Sequence, residues 1–204
     1  MGKEKRLVIL MAGGSAAGKT TARKLFAQGE PEEYFKMMTI NMRKGPAEQK
    51  IWYTVYDNCS VTGNIRGGAD SVSGPAAHRA SFELCLPLSE IIIVDGKINS
   101  PQWVLMTNDA CAEYDVGLLL LYFNLSAETL LTRLAKRRGV EKESIRESMY
   151  KKCEGATSRA DLLVRNTVKL SELDWWQIDI DEDMTPEDIV DEMDAVACEW
   201  FGDC

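Results

Sequence analysis

Leu7-Val-Ile-Leu-Met-Ala-Gly13-Gly-Ser-Ala-Ala-Gly18-Lys19-Thr20 is the stretch on which the fold turns. Leu7–Met11 is short, apolar and partly β-branched, and a glycine-rich turn follows it, so it reads as a strand buried on both faces. Gly13 to Thr20 matches the spacing GxxxxGK[ST] in full. The residues from Thr20 to Gln28 then read as a helix that ends near Gly29-Glu30-Pro31. Strand, glycine turn and helix in that order build a phosphate cradle. Glycines let the backbone wrap an anion, and the helix start adds free N–H groups and a positive dipole. The spacing therefore predicts a nucleoside triphosphate held by Gly13, Gly14, Ser15, Ala16, Ala17, Gly18, Lys19, Thr20 and Thr21. Lys19 would reach the outer phosphates, and the Thr20 hydroxyl would ligate magnesium.

Outward from this loop, the chain alternates apolar strands with helices. Ile51–Tyr56 has strand composition. Residues 58–74, rich in Gly, Asn, Ser and Asp, read as one long loop, and a loop of that length in a compact domain is usually functional. Pro75–Leu86 reads as a helix with proline in its first turn. Ile91–Val94 is a second buried strand and ends on Asp95-Gly96. Val116–Phe123 is a third, followed by Asn124-Leu-Ser126 and a helix. Trp176–Ile180 is a late strand, and Thr185-Pro186-Glu187 opens a last helix with a cap, a proline and an acidic first turn. The expected fold is α/β, a mostly parallel sheet covered by helices on both faces. It forms one domain over residues 1–204, with an acceptor-binding segment at about 51–90 and a helical lid at about 133–160.

Composition bounds the rest. The chain has 204 residues, 45% hydrophobic and 27% charged, an ordinary globular balance that excludes disordered and fibrous classes. No apolar run is long enough to span a bilayer, and Leu7–Met11 lacks the length and cleavage site of a secretory signal, so a soluble, cytoplasmic protein without membrane partners is expected. Six cysteines without a CxxC pair and a single histidine, His78, make a zinc site improbable, and reduced thiols are expected. The net charge of −8 is uneven: residues 171–204 hold 13 acidic and no basic residues, leaving 24 basic against 19 acidic before them. Overall acidity disfavours non-specific nucleic-acid binding but leaves room for a locally basic face. The acidic stretch reads as a solvated helix face.

Further candidates follow from position. Asp95, after four aliphatic residues, stands where a carboxylate can hold magnesium; an Asp-Gly turn is the plainer alternative. Arg133 and Arg137 share a helix face beside Lys136, and Arg146 and Arg159 extend the basic character. They suit either a helix C-terminus or a clamp on a transferring phosphoryl group. In the middle segment, Asn64 can read an amide-bearing base edge and Arg66 can hold a phosphate, with Asp70 beside them. Asp57, Asp70 or Asp95 could take the proton of an attacking hydroxyl. Asx turns and plain packing are the alternatives for this segment, and a structural role is the simpler reading for His78. Trp52, Tyr53, Tyr56 and Trp103 offer rings for base stacking or for the core.

The order of these elements resembles the thymidylate-kinase-like branch of P-loop kinases. The glycine loop, the strand ending Asp95-Gly96, the helix ending Arg133-Leu-Ala-Lys-Arg137-Arg138 and the final Asp-Met-Thr-Pro-Glu-Asp carry the likeness. It implies ATP and Mg2+ as donor and cofactor, and an adenine flanked by Asp181 to Pro186. The aspartate–arginine pair that holds substrate in thymidylate kinases has no counterpart here. The segment from Tyr56 to Ser71 is similar to phage-encoded 5-hydroxymethyluracil DNA kinases, which act in thymidine hypermodification. That likeness implies phosphorylation of a base hydroxymethyl group within DNA, in a host cytoplasm, with the base flipped or a loop inserted. The alternatives are a kinase of free (deoxy)nucleoside monophosphates and a regulatory nucleotide-binding protein.

Overall fold

The computed structural model describes residues 5–14, 16–42, 45–67, 72, 74–95, 101–145, 147–151, 153–155, 175–181 and 183–202. Seven strands form one mixed sheet: β1 (Leu7–Gly13), β2 (Glu32–Met42), β3 (Gly45–Val55), β4 (Ser60–Thr62), β5 (Ile91–Asp95), β6 (Gly117–Phe123) and β7 (Trp175–Ile180). Their order across the sheet is β2-β3-β4-β5-β1-β6-β7. The five from β4 to β7 are parallel, and β2–β3 is an antiparallel hairpin added at the β4 edge. The sheet is therefore mostly parallel, as expected, but mixed, because one long antiparallel hairpin extends the parallel core.

Burial follows the two-residue period of the strands. Leu7, Ile9, Met11, Leu119, Leu121 and Phe123 pack on one face with helices α1 (Lys19–Phe26), α4 (Ala127–Arg138) and α5 (Pro186–Phe201). Val8, Leu10, Ala12, Leu118 and Leu120 pack on the other with α2 (Pro75–Cys85) and α3 (Pro101–Tyr114). The continuous apolar runs exist because both faces are covered. At its far end the hairpin packs Ile40 and Ile51 against Ala77 and Ala80 of α2. Its other face, carrying Phe35 and Met37, is uncovered: these two are 48% and 49% exposed.

Residues 58–74 are not one loop, since Ser60–Thr62 forms β4 between β3 and β5. Three residues are too few to announce a strand by composition. In the segment expected as a lid, Leu130, Leu131, Leu134 and Ala135 are buried, so α4 is docked on the core. After it come a 3-10 turn at Lys142–Ser144 and helical residues at 147–151 and 153–155; Arg146 and Arg159 lie outside the described residues. Ser126 caps α4, accepting the Thr129 N–H, and Thr185 caps α5 as expected, forming with Asp188 a reciprocal capping box. The acidic residues of α5 face solvent, while Ile189, Met193, Val196 and Ala197 turn inward. Cys59, Cys85, Cys111 and Cys153 are free and buried, but Cys198 is disulfide-bonded, against the expectation of reduced thiols. No helix among the described residues is long and apolar enough to cross a membrane.

Candidate functional site

In a parallel sheet, ligands sit beyond the carboxyl ends of the strands, where the connections diverge to either side. Here β1 lies between β5 and β6, and the chain leaves β1 into the glycine loop at that end. Gly13 takes φ +152° opposite Phe123, Ala16 is left-handed at φ +66°, and Gly18 has φ +106° at the start of α1. Among the described residues no side chain caps α1, in contrast to α4 and α5.

Lys19 is 7% exposed and its ammonium donates to the carbonyls of Gly13 and Gly14 at 2.9 and 2.8 Å. It lies curled back onto the carbonyls of the glycine turn. Thr20 Oγ1 donates to Asp95 Oδ2 at 3.2 Å, so the two expected magnesium residues meet. Asp95 is 4% exposed and ends β5, level with Met11 of β1. A buried carboxylate beside a hydroxyl suits magnesium, which takes one or two carboxylates and fills its remaining sites with phosphate oxygens and water. Among the described residues no group of three or more His, Cys, Asp or Glu could hold a metal by itself.

Arg133 reaches the loop from α4, donating to Ala17 O at 3.1 Å. Arg137, one turn further along the same face, is exposed together with Lys136. Thr21 follows Thr20 in the first turn of α1 and is exposed, with its N–H on Gly18 O. Asp181 follows β7 and accepts N–H bonds from Asp183 and Met184, turning the chain toward α5 at the same end of the parallel strands. Ser15 and Asp70 lie outside the described residues.

Asp57 is elsewhere. β3 runs antiparallel to β4, so residues 56–59 turn at the amino ends of the parallel strands. The Asp57 N–H donates to Gln28 O, and Asn58 bonds Gln28 N and Phe26 O, all at the far end of α1. Seven residues of helix separate that end from Lys19, about 10 Å along the axis. Asp57 is therefore not a base for chemistry at the glycine loop.

The segment after β4 leaves on the correct side and folds back along α1. Asn64 does not present a free amide: its Oδ1 accepts the Gly67 N–H at 2.7 Å in an Asx turn. Arg66 is exposed on that turn. Trp52 and Tyr53 make cross-strand aromatic pairs with Phe35 and Tyr34, at 5.0 and 5.5 Å between centroids, and Lys50 stands 4.8 Å over Phe35. Tyr56 packs against the core, and the side chain of Trp103 lies outside what is described. His78 is buried on α2, where loss of hydration lowers its pKa to about 4, so it is neutral at pH 7 and far from proton-transfer duty. Burial likewise pushes the Cys59 and Cys111 thiols up to about 12, which leaves neither as a nucleophile.

Arg23 is the functional candidate that residue patterns did not mark. It is 1% exposed, pairs with Asp95 Oδ2 at 3.3 Å, and donates to Ile65 O at 3.0 Å. The one available signal was its place four residues after Lys19, on the buried stripe of α1. No family model matches the chain, and no curated protein is similar to it.

Proposed function

We propose that this protein is an ATP-dependent kinase of the P-loop type that phosphorylates the hydroxymethyl group of 5-hydroxymethyluracil in DNA. The observation that carries the phosphotransferase reading is the convergence of Lys19, Thr20 and Asp95 where β1 and β5 end, beside the uncapped start of α1. These groups fit a triphosphate and its magnesium. Thr20 and Asp95 would hold the ion, which neutralises phosphate charge when bound. Lys19 and the loop N–H groups bind and orient the γ-phosphoryl group, and Arg133 steadies the loop from α4. In the transfer, the acceptor oxygen forms a bond to the γ-phosphorus, the bond to the β-phosphate oxygen breaks, and ADP leaves. The hydroxyl proton passes to a base; Asp95 Oδ2 already receives Thr20 and Arg23, which leaves Asp70 as the remaining sequence candidate.

The DNA acceptor rests on the open side of the sheet. Beside the described 63–67 turn, the hairpin exposes a face with Phe35, Trp52 and Lys50, rings and a cation suited to the bases and phosphates of a strand. The test is transfer from γ-labelled ATP to an oligonucleotide containing 5-hydroxymethyluracil, to the matching free nucleotide and to unmodified DNA, with Lys19→Ala as control. Label on the modified oligonucleotide alone, lost in the folded control, is expected. Label only on the free nucleotide overturns the DNA acceptor, and label on none overturns the kinase.

A further inference from the structure

Stability does not account for Arg23. Bringing a guanidinium into a protein interior costs several kcal/mol in lost hydration, and replacing a buried ion pair with apolar groups is often neutral or stabilising. Among the described residues its Nε has no partner, so the charge is not even fully satisfied. The two bonds it does make join parts of the fold that are distant in sequence. NH1 holds Asp95 at the end of β5, and NH2 holds the carbonyl of Ile65 in the turn after β4.

The same residue, Ile65, is held from its other side. Its N–H donates to Glu33 Oε1 of β2 at 2.6 Å. One loop residue is thus gripped by a guanidinium from α1 and a carboxylate from the hairpin, and bonds to charged groups are the stronger class. The neighbouring N–H groups are also engaged. Gly63 N donates to Trp52 O at 3.0 Å, and Gly67 N closes the Asx turn of Asn64. A solvated connection needs none of this. What the grip fixes is the backbone on either side of Ile65, and so the place from which the exposed Arg66 projects beside the Asx turn of Asn64.

We infer that Arg23 and Glu33 are positioning residues that hold the Asn64–Arg66 segment as the acceptor-recognition segment. Through Asp95, Arg23 sets it in register with the donor phosphates. This rests on the kinase reading above for the identity of the acceptor. Glu33 is exposed on β2 and bonds Ile65, not the glycine loop, so its removal separates acceptor recognition from donor binding. Arg23 touches both sides through two separate nitrogens of its planar fork, and a lysine, whose donors sit on a single nitrogen, cannot span Asp95 and Ile65 in that geometry.

The experiment has two readouts on the full chain. The first is steady-state transfer to the 5-hydroxymethyluracil oligonucleotide by wild type, Glu33→Ala, Glu33→Gln and Arg23→Lys. Glu33→Ala should raise the acceptor KM about tenfold, with kcat and the ATP KM within about twofold. Glu33→Gln, which keeps an oxygen for the Ile65 N–H, should recover most of that loss, and Arg23→Lys should raise the KM values of both substrates. The second is amide hydrogen exchange across residues 63–67 with and without the oligonucleotide. The Ile65 amide should exchange faster in Glu33→Ala, and the oligonucleotide should slow exchange in wild type. An acceptor KM unchanged while the Ile65 amide is loosened overturns the inference. So does a wild-type segment that the oligonucleotide leaves unprotected. If nothing is phosphorylated but the segment is still protected, the kinase reading fails and the recognition segment stands.

Discussion

The Cβ that Gly13 lacks would stand 2.6 Å from the Cβ of Phe123, and its φ of +152° is one that side chains rarely adopt. Gly18 shares the positive φ, but the nearest atom to its missing Cβ is Arg133 NH1 at 3.9 Å. The two glycines of one motif therefore answer to different constraints, packing at the first and backbone conformation at the second. Gly13→Ala should cost on the order of 3 kcal/mol through strain and overlap. That lowers the melting temperature by roughly 6–12 °C in a chain of this size. Gly18→Ala should cost less, and thermal melts giving the reverse order would refute the distinction. His78 offers a second test at this scale. Its pKa is about 4 in the fold against 6.5 for an ordinary imidazole. Between these values the unfolded chain carries a proton that the folded chain does not, so this contribution is complete above pH 6.5 and is lost as pH falls toward 4. The loss amounts to about 3 kcal/mol. Denaturant titrations from pH 7 to 4 should show proton uptake on unfolding near pH 5 reduced by about one in His78→Gln; an unchanged slope would contradict it.

At the level of elements, legibility in the sequence followed coverage. β1, β5 and β6 are buried on both faces, so their apolar runs stand out from the chain, as do the caps of α4 and α5, which are local chemistry. β2 was illegible for the opposite reason. Glu32, Glu33 and Lys36 interrupt it, one face is open, and α2 covers only its far end, so neither a run nor a clean alternation forms. The candidate site divides the same way. Lys19, Thr20 and Asp95 lie on elements the sequence announces, whereas Arg23, Glu33 and the exclusion of Asp57 depend on how β3, announced only from Ile51, and the unannounced β2 and β4 turn the chain. α4 carries its own expectation. Arg133 is anchored on Ala17 O and Arg137 is free to reach a ligand from the exposed end of the helix. Arg137→Ala should leave stability within about 0.5 kcal/mol and cut kcat by about 100-fold at unchanged ATP KM. Arg133→Ala should instead raise the ATP KM by loosening the loop. Paired steady-state kinetics decide this, and identical effects from both would remove the distinction.

For the whole molecule, the strand order has a consequence in time. The hairpin β2–β3 closes on itself within a short stretch of chain, the kind of pairing that forms in about microseconds. The central strand has no such neighbour. Leu7 pairs with Ile91 on one side and Gly117 on the other, and Gly13 waits for Phe123. On a ribosome adding ~5–20 residues per second, roughly 6–20 s pass between synthesis of β1 and of its second partner. Until β5 is made both edges of this apolar strand are unpaired, and until β6 is made one of them stays open to other chains. The strand that ends in the glycine loop is thus made before either of its partners, and a nascent chain halted before residue 117 carries an apolar strand with one edge still uncovered.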